Sequence, residues 1–300
     1  MELSLIVPPT VKEFEALTGL LSGRFCLANV EDEKYRKYFE YTPQHNLILD
    51  NGVFEESLVS NIGLLKLSQQ LRAQVLVIPD LIGGTVENNQ KHAIRFILDR
   101  KEFLDKARET DDGCWDDAAD LMFVPQCERG DINGFWNTLD WAIDNADIGW
   151  IGICRDAVRN AFHNITHTDD QEINRLYFAI LLQHNDILSK AQEKRKKWHF
   201  LSIGDNYHLI EHYWFVDSMD TASAFWQGYN GVRAENGRLI SDLKRPKDYF
   251  TRSYFDLVTR RHGSDGKYCI RDIIEQNCKE LQRYADKATK LRRQIEGGRI

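Results

Sequence analysis

Short, almost unbroken apolar runs recur along this chain. They lie at residues 3–7, 25–30, 46–50, 74–80, 121–126, 150–154, 199–204 and 214–217. They are rich in β-branched and aromatic residues and alternate poorly, the pattern of strands buried on both faces. Stretches of helical periodicity separate most of them. Residues 57–71 carry Leu58, Ile62, Leu65 and Leu71, and residues 88–104 carry Ala93, Ile94, Ile97 and Leu104. Residues 134–146 and 173–188 read similarly. Strands alternating with helices predict parallel βαβ units, and eight of them predict an α/β protein with a (β/α)8 barrel.

Two segments fall outside the repeat. Residues 108–120 are acidic and polar (Asp111, Asp112, Gly113, Asp116, Asp117) and read as an exposed loop. Residues 228–266 mix glycine, cations and aromatics after the last expected strand. A long amphipathic helix is expected over 270–295, with Ile270, Ile273, Ile274, Leu281, Tyr284, Ala288 and Leu291 on its apolar stripe. The expected division is a barrel over 1–230, with a basic loop segment and packed helix over 231–300.

Composition narrows the class. The chain is 42% hydrophobic and 28% charged, which suits a globular protein. It has no apolar run near the ~20 residues that cross a bilayer. Its first residues lack the basic and long apolar stretches of a signal peptide, so a cytoplasmic location is expected. Six scattered cysteines read as free thiols. The net charge of -7 is unevenly spread: residues 190–300 hold 22 basic and 15 acidic residues, against 17 and 31 before them. That asymmetry suggests a basic surface able to meet phosphates, set against the plainer reading of a solvated helix face.

Candidate chemistry gathers at the expected strand ends. Asp50 closes 46–50, Asp80 closes 74–80, Gln126 closes 121–126 and Asp217 closes 214–217. Gly152 interrupts 150–154, where a glycine weakens pairing unless something approaches the backbone. In a barrel these ends share one mouth. Three carboxylates with an amide and bare backbone can divide nucleophilic, proton-transfer and base-holding roles. Taken singly, each aspartate also reads as the N-cap of the next helix.

The order of these segments resembles the tRNA-guanine transglycosylase superfamily, most nearly its short phage-type branch that puts 7-deazaguanines into DNA. Asp50-Asn51-Gly52-Val53-Phe54-Glu55 resembles the family's Asp-Ser-Gly-Gly-Phe-Gln. Asp80 resembles its second acid, and Val124-Pro125-Gln126-Cys127 its Val-Gln-Gly-Gly. Gly152 and Ser202-Ile203-Gly204-Asp205-Asn206 are similar to its glycine-bearing strand and turn. The resemblance implies a transferase that exchanges guanine for a 7-deazaguanine through a covalent bond from Asp217 to the sugar. Asp50 would move the proton, and Asp80, Gln126, Gly152 and Gly204 would hold the base. The implied partners are duplex DNA, with tRNA as the alternative, and a free 7-deazaguanine base. The target base would be flipped from the stack. If the chain is phage-encoded, the compartment is the host cytoplasm. The family's Cys-x-Cys-x2-Cys zinc cluster has no counterpart, so no cofactor is expected. Val53, Glu55 and the missing proline also depart from the pattern.

Arg233, Arg238, Lys244, Arg245, Arg252, Arg260 and Arg261 are the expected phosphate contacts, beside aromatics that read individually as core. Two readings of other classes stay open. His208-Leu209-Ile210-Glu211-His212 spells an inverted zinc-hydrolase motif, whose histidines share a face if the segment is α-helical. A non-catalytic nucleic-acid-binding barrel is the other. His163 and His167 have similar spacing and read as surface residues.

Overall fold

The apolar runs form strands that lie side by side. In the computed structural model, eight strands make one parallel sheet in the order β1-β8-β7-β6-β5-β4-β3-β2, with helices alternating between them. They are β1 (Glu2–Leu5), β2 (Arg24–Leu27), β3 (Leu47–Asp50), β4 (Val75–Val77), β5 (Asp120–Phe123), β6 (Ile148–Cys154), β7 (Lys197–Leu201) and β8 (Ser218–Thr221). This is the α/β, (β/α)8 class anticipated from the pattern. The structure describes residues 1–41, 47–52, 59–109, 119–262, 266 and 268–298. The acidic stretch 110–118, residues Val53, Phe54 and Glu55, and the start of the 57–71 helix lie outside the described residues.

The chain divides into two compact units, residues 25–199 and residues 1–24 with 200–300. In the first, strand registers are parallel: Leu49 lies beside Leu76, and Val77 beside Met122. Helices begin where short polar side chains cap them, because the first amides of a helix lack intrahelical acceptors. Ser60 accepts from Gly63 N–H at the start of α3 (Asn61–Gln70), and Asp131 from Gly134 N–H at the start of α5 (Ile132–Asp144). The single helix anticipated over 173–188 is two, α7 (Gln171–Gln183) and α8 (Asp186–Glu193). Asn185 breaks the run by capping Ile187 N–H. Aromatic edges fill the core between helices, with Phe135 against Phe162 and Phe178.

In the second unit, β1 and β8 pair in parallel from Glu2–Ser218 to Leu5–Thr221. The closing helix α10 (Ile270–Gly297) buries Ile270, Ile273, Ile274, Leu281, Tyr284 and Ala288, while Leu291 is exposed. It packs closely on α9 (Ser223–Tyr229): a Cβ at Gly228 would fall 2.7 Å from the Ile274 side chain. Asn277, wholly buried in α10, accepts from Ala234 N–H and donates to Val232 O. That latch holds the start of the basic segment, which carries two short antiparallel ladders, β9 (Ala234–Glu235) with β10 (Arg238–Leu239) and β11 (Arg261–His262) with β12 (Tyr268–Cys269).

Candidate functional site

Within the 25–199 unit, the carboxyl ends of β3, β4 and β5 are tied by side chains. β3 ends at Asp50, which is buried. The chain turns at Gly52, whose φ of 74° suits glycine. Gly52 N–H donates to Asp50 Oδ2 at 3.0 Å, and a Cβ there would fall 2.7 Å from the Asn29 side chain. Between them, Asn51 reaches across to the next strand end. Its Nδ2 donates to Ile78 O at 3.0 Å and to Asp80 Oδ1 at 3.1 Å. From the following strand, Gln126 Nε2 donates to Asp80 Oδ2 at 2.6 Å.

Asp80 is thus gripped by one amide on each oxygen. Burial still raises its carboxyl above the ordinary aspartate range, outweighing the two amide donors and the nearby His92, which pull it down. Gln126 is fully buried, and its Oε1 accepts no hydrogen bond from the described residues. A buried carbonyl left this way carries a desolvation cost of about 1–3 kcal/mol. The cluster therefore presents hydrogen-bond acceptors, a carboxylate and a bare amide oxygen, to whatever donor comes. Such an arrangement suits a planar group with adjacent N–H donors.

Cys154, which closes the apolar run 150–154, ends β6 and stands at the start of α6 (Arg155–Thr166). Burial and the neighbouring charge of Asp80 push its thiol up to about 11. Gly152 lies buried two residues earlier in the same strand. On α2 (Glu33–Tyr41), Arg36 donates to Ala28 O, and Ala28 N–H donates to Asp50 O at 3.0 Å. That links a guanidinium to the same strand ends.

In the other unit the position of Asp217 is corrected. The expected strand 214–217 is instead the close of a 3-10 segment, Tyr207–Tyr213, with Trp214 in helical conformation and Val216 N–H bonded to Tyr213 O. Strand β8 begins only at Ser218. Asp217 therefore stands at the amino end of its strand. Its carbonyl accepts from Glu2 N–H at 2.8 Å, and its Oδ1 accepts from Arg292 of α10 at 2.9 Å. The apolar run misled because Phe215 packs edge-on against Phe200, and Phe215 and Val216 are buried without being strand. The acid inside β8 is Asp220, 3% exposed and in register with Ser4. Its Oδ1 accepts from Ser202 N–H at 2.9 Å, where Ser202 adopts φ 60° just past β7. Gly204 follows, its carbonyl accepting from Ser223 Oγ at 3.2 Å. A half-polar strand such as Ser218-Met219-Asp220-Thr221 gives no apolar signal, so the hydrophobic pattern does not mark Asp220.

The expected phosphate contacts are divided by the fold. Arg245 lies over the rings of Tyr249 and Phe250, Arg252 over Trp226, and Arg260 over Tyr229 and Phe255. Arg233 lies over Tyr268. Arg233, Arg238, Lys244, Arg252 and Arg261 are exposed, while Arg245 and Arg260 are half-buried. The zinc-hydrolase spelling does not fall on an α-helix. Its residues lie on the 3-10 segment, where three residues make a turn, so His208 and His212 do not stack on one face. Glu211 pairs with Lys287 at 2.7 Å. Among the described residues, no group of three or more His, Cys, Asp or Glu is arranged to hold a metal ion. His163 lies in the last turn of α6 beside Arg129 and Asp169, and His167 caps that helix at φ 53°. No helix among the described residues is long and apolar enough to cross a membrane.

The chain matches no known family model, and no curated protein matches it.

Proposed function

We propose that this (β/α)8 protein is a base-exchange transglycosylase that replaces guanine in DNA by a 7-deazaguanine. One observation carries the reading: Asp80, held by Asn51 and Gln126 at adjoining strand ends, beside a buried Gln126 carbonyl with no partner among the described residues. Guanine and its 7-deaza analogues offer an N–H edge and an exocyclic amine, the donors that such acceptors need. Active groups at the carboxyl ends of strands are also the rule for this fold class.

In this reading a carboxylate oxygen attacks the sugar's anomeric carbon while the bond to the guanine ring nitrogen breaks. The departing guanine takes a proton, and the incoming base loses its ring N–H proton as its nitrogen displaces the carboxylate. The oxocarbenium-like character of both steps favours a carboxylate beside the sugar. Asp220, not Asp217, is the attacking residue we assign, because Asp217 stands before β8 and is engaged by Arg292. Asp50 is assigned the proton transfer. Asp80 and Gln126 read the base, and Gly152 leaves room for it. The exposed cations of 233–261 take the nucleic-acid backbone.

The test is incorporation of labelled 7-deazaguanine into duplex DNA and, separately, tRNA. Label in DNA that is lost in Asp220→Asn and Asp80→Asn supports the reading. Label in tRNA alone reverses the substrate. No label in either overturns the exchange and favours a non-catalytic nucleic-acid binder.

A further inference from the structure

The basic segment contains a feature that its cations do not explain. Phe255 is 73% exposed, the most open aromatic ring in the segment. The turn that carries it is tied by several hydrogen bonds. Thr10 Oγ1 donates to Arg252 O at 2.7 Å, and Tyr254 OH donates to Tyr249 O at 2.9 Å. Asp256 accepts from Val258 N–H at 2.9 Å, and Arg271 N–H donates to Leu257 O at 3.3 Å. Leu257 itself is wholly buried. The neighbouring rings stay inside: Tyr249 is buried, its hydroxyl donating to Ile6 O at 2.7 Å, and Phe225, Tyr229 and Tyr254 pack on one another. Phe255 alone points away from this aromatic cluster, while Arg260 spans the two, over Tyr229 at 4.2 Å and over Phe255 at 5.8 Å.

The charge of its segment is one-sided. Residues 233–262 hold eight Lys and Arg against four Asp and Glu. One of those acids, Asp256, is occupied by Lys12 and by backbone amides. An exposed ring beside Arg260, on a hydrogen-bonded turn of a segment whose other cations include exposed Arg252 and Arg261, matches a polyanion that carries its own flat rings. We infer that Phe255 is a stacking platform for an unpaired nucleobase, with Arg252 and Arg261 contacting the phosphates on either side. The inference rests on the nucleic-acid substrate of the proposed function and adds that the bound strand is locally single. Stacking on an aromatic side chain is tolerant of sequence, so the platform grips the strand beside the modified base without choosing it.

The experiment is fluorescence anisotropy with a labelled single-stranded oligodeoxynucleotide and the matching duplex, across a salt series and without free base. Phe255→Ala is expected to weaken single-strand binding about 5- to 150-fold, the range for losing one stacked base, with an unchanged salt slope. Phe255→Trp is expected to restore binding. Arg261→Gln is expected to lower the slope by about one unit. Because Phe255 is exposed, melting of both variants should match the parent. Wild-type affinity in Phe255→Ala overturns the inference, as does binding of 30% phosphatidylserine vesicles in preference to the oligonucleotide. The proposed chemistry fails separately: Phe255-dependent binding with no exchange of base sinks the transglycosylase reading alone. Exchange that is intact in Phe255→Ala, with unchanged binding, sinks only the platform.

Discussion

Gln126 Nε2 donates to Asp80 Oδ2 at 2.6 Å, while the other end of the same amide, Oε1, is buried and accepts from no donor among the described residues. Half of this side chain holds a carboxylate in place, and half waits for a donor. Replacing Gln126 by Leu should lower fold stability by about 1–3 kcal/mol, because the orphan carbonyl goes but the Asp80 oxygen it held is left buried without that donor. Base affinity should fall by at least 10-fold. Titration with guanine by calorimetry, alongside thermal melting, separates the two effects.

Asp80 should make stability depend on pH. Its folded pKa lies above the ordinary value, so the folded protein binds this proton more tightly than the unfolded chain does. The contribution is fully present below the ordinary aspartate pKa and is lost as pH rises through the raised folded one. Asp80→Asn, which keeps no ionisable group, should remove that component. Relative to wild type, its melting temperature should rise between pH 4 and pH 7 while base exchange disappears. A constant difference across the series would contradict the assignment.

Asp217 and Asp220 should separate cleanly. Asp217→Asn weakens a partly buried ion pair with Arg292 that fastens α10 beside the start of β8. The expected loss is about 1 kcal/mol of stability, with exchange retained. Asp220→Asn should keep the Ser202 N–H bond through its carbonyl oxygen and melt near wild type, yet form no covalent adduct with the nucleic acid. Trapping the adduct on denaturing gels reads this directly.

Gly52→Ala should be costly for a local reason. The backbone there needs φ of 74°, and the new methyl would meet Asn29 at 2.7 Å. A loss of about 1–3 kcal/mol follows from strain, measurable by urea unfolding. The Gly52 N–H to Asp50 Oδ2 bond would move with it, so proton transfer should slow more than base binding weakens.

Arg245 and Arg261 should differ despite their shared charge. Arg261 is exposed, and its loss should flatten the salt dependence of nucleic-acid binding. Arg245 is half-buried over Tyr249 and Phe250, so Arg245→Ala should chiefly lower the melting temperature. A steep slope retained in Arg261→Gln would mean this surface faces no nucleic acid.

Much of the architecture was legible in the hydrophobic pattern. Strands such as Leu47–Asp50 and Val75–Val77 are buried throughout, and burial writes itself as continuous apolar residues. Asp50, Asp80 and Gln126 could be found because each directly closes or follows such a run. The same rule failed at 214–217, where apolar aromatics are buried as a 3-10 close, and the strand that follows is buried yet half polar. Periodicity reports burial, and burial is shared by strands, turns and plugs alike.

The sequence by itself determined the alternation of strands and helices, because the apolar spacing of each element depends only on its neighbours in the chain. Only the tertiary structure decided which acid lies in β8, that Asn51 joins β3 to β4, and that Gln126 keeps an unanswered carbonyl. Those are relations between residues distant in sequence, created when parallel strands bring their ends side by side, and no local pattern encodes them.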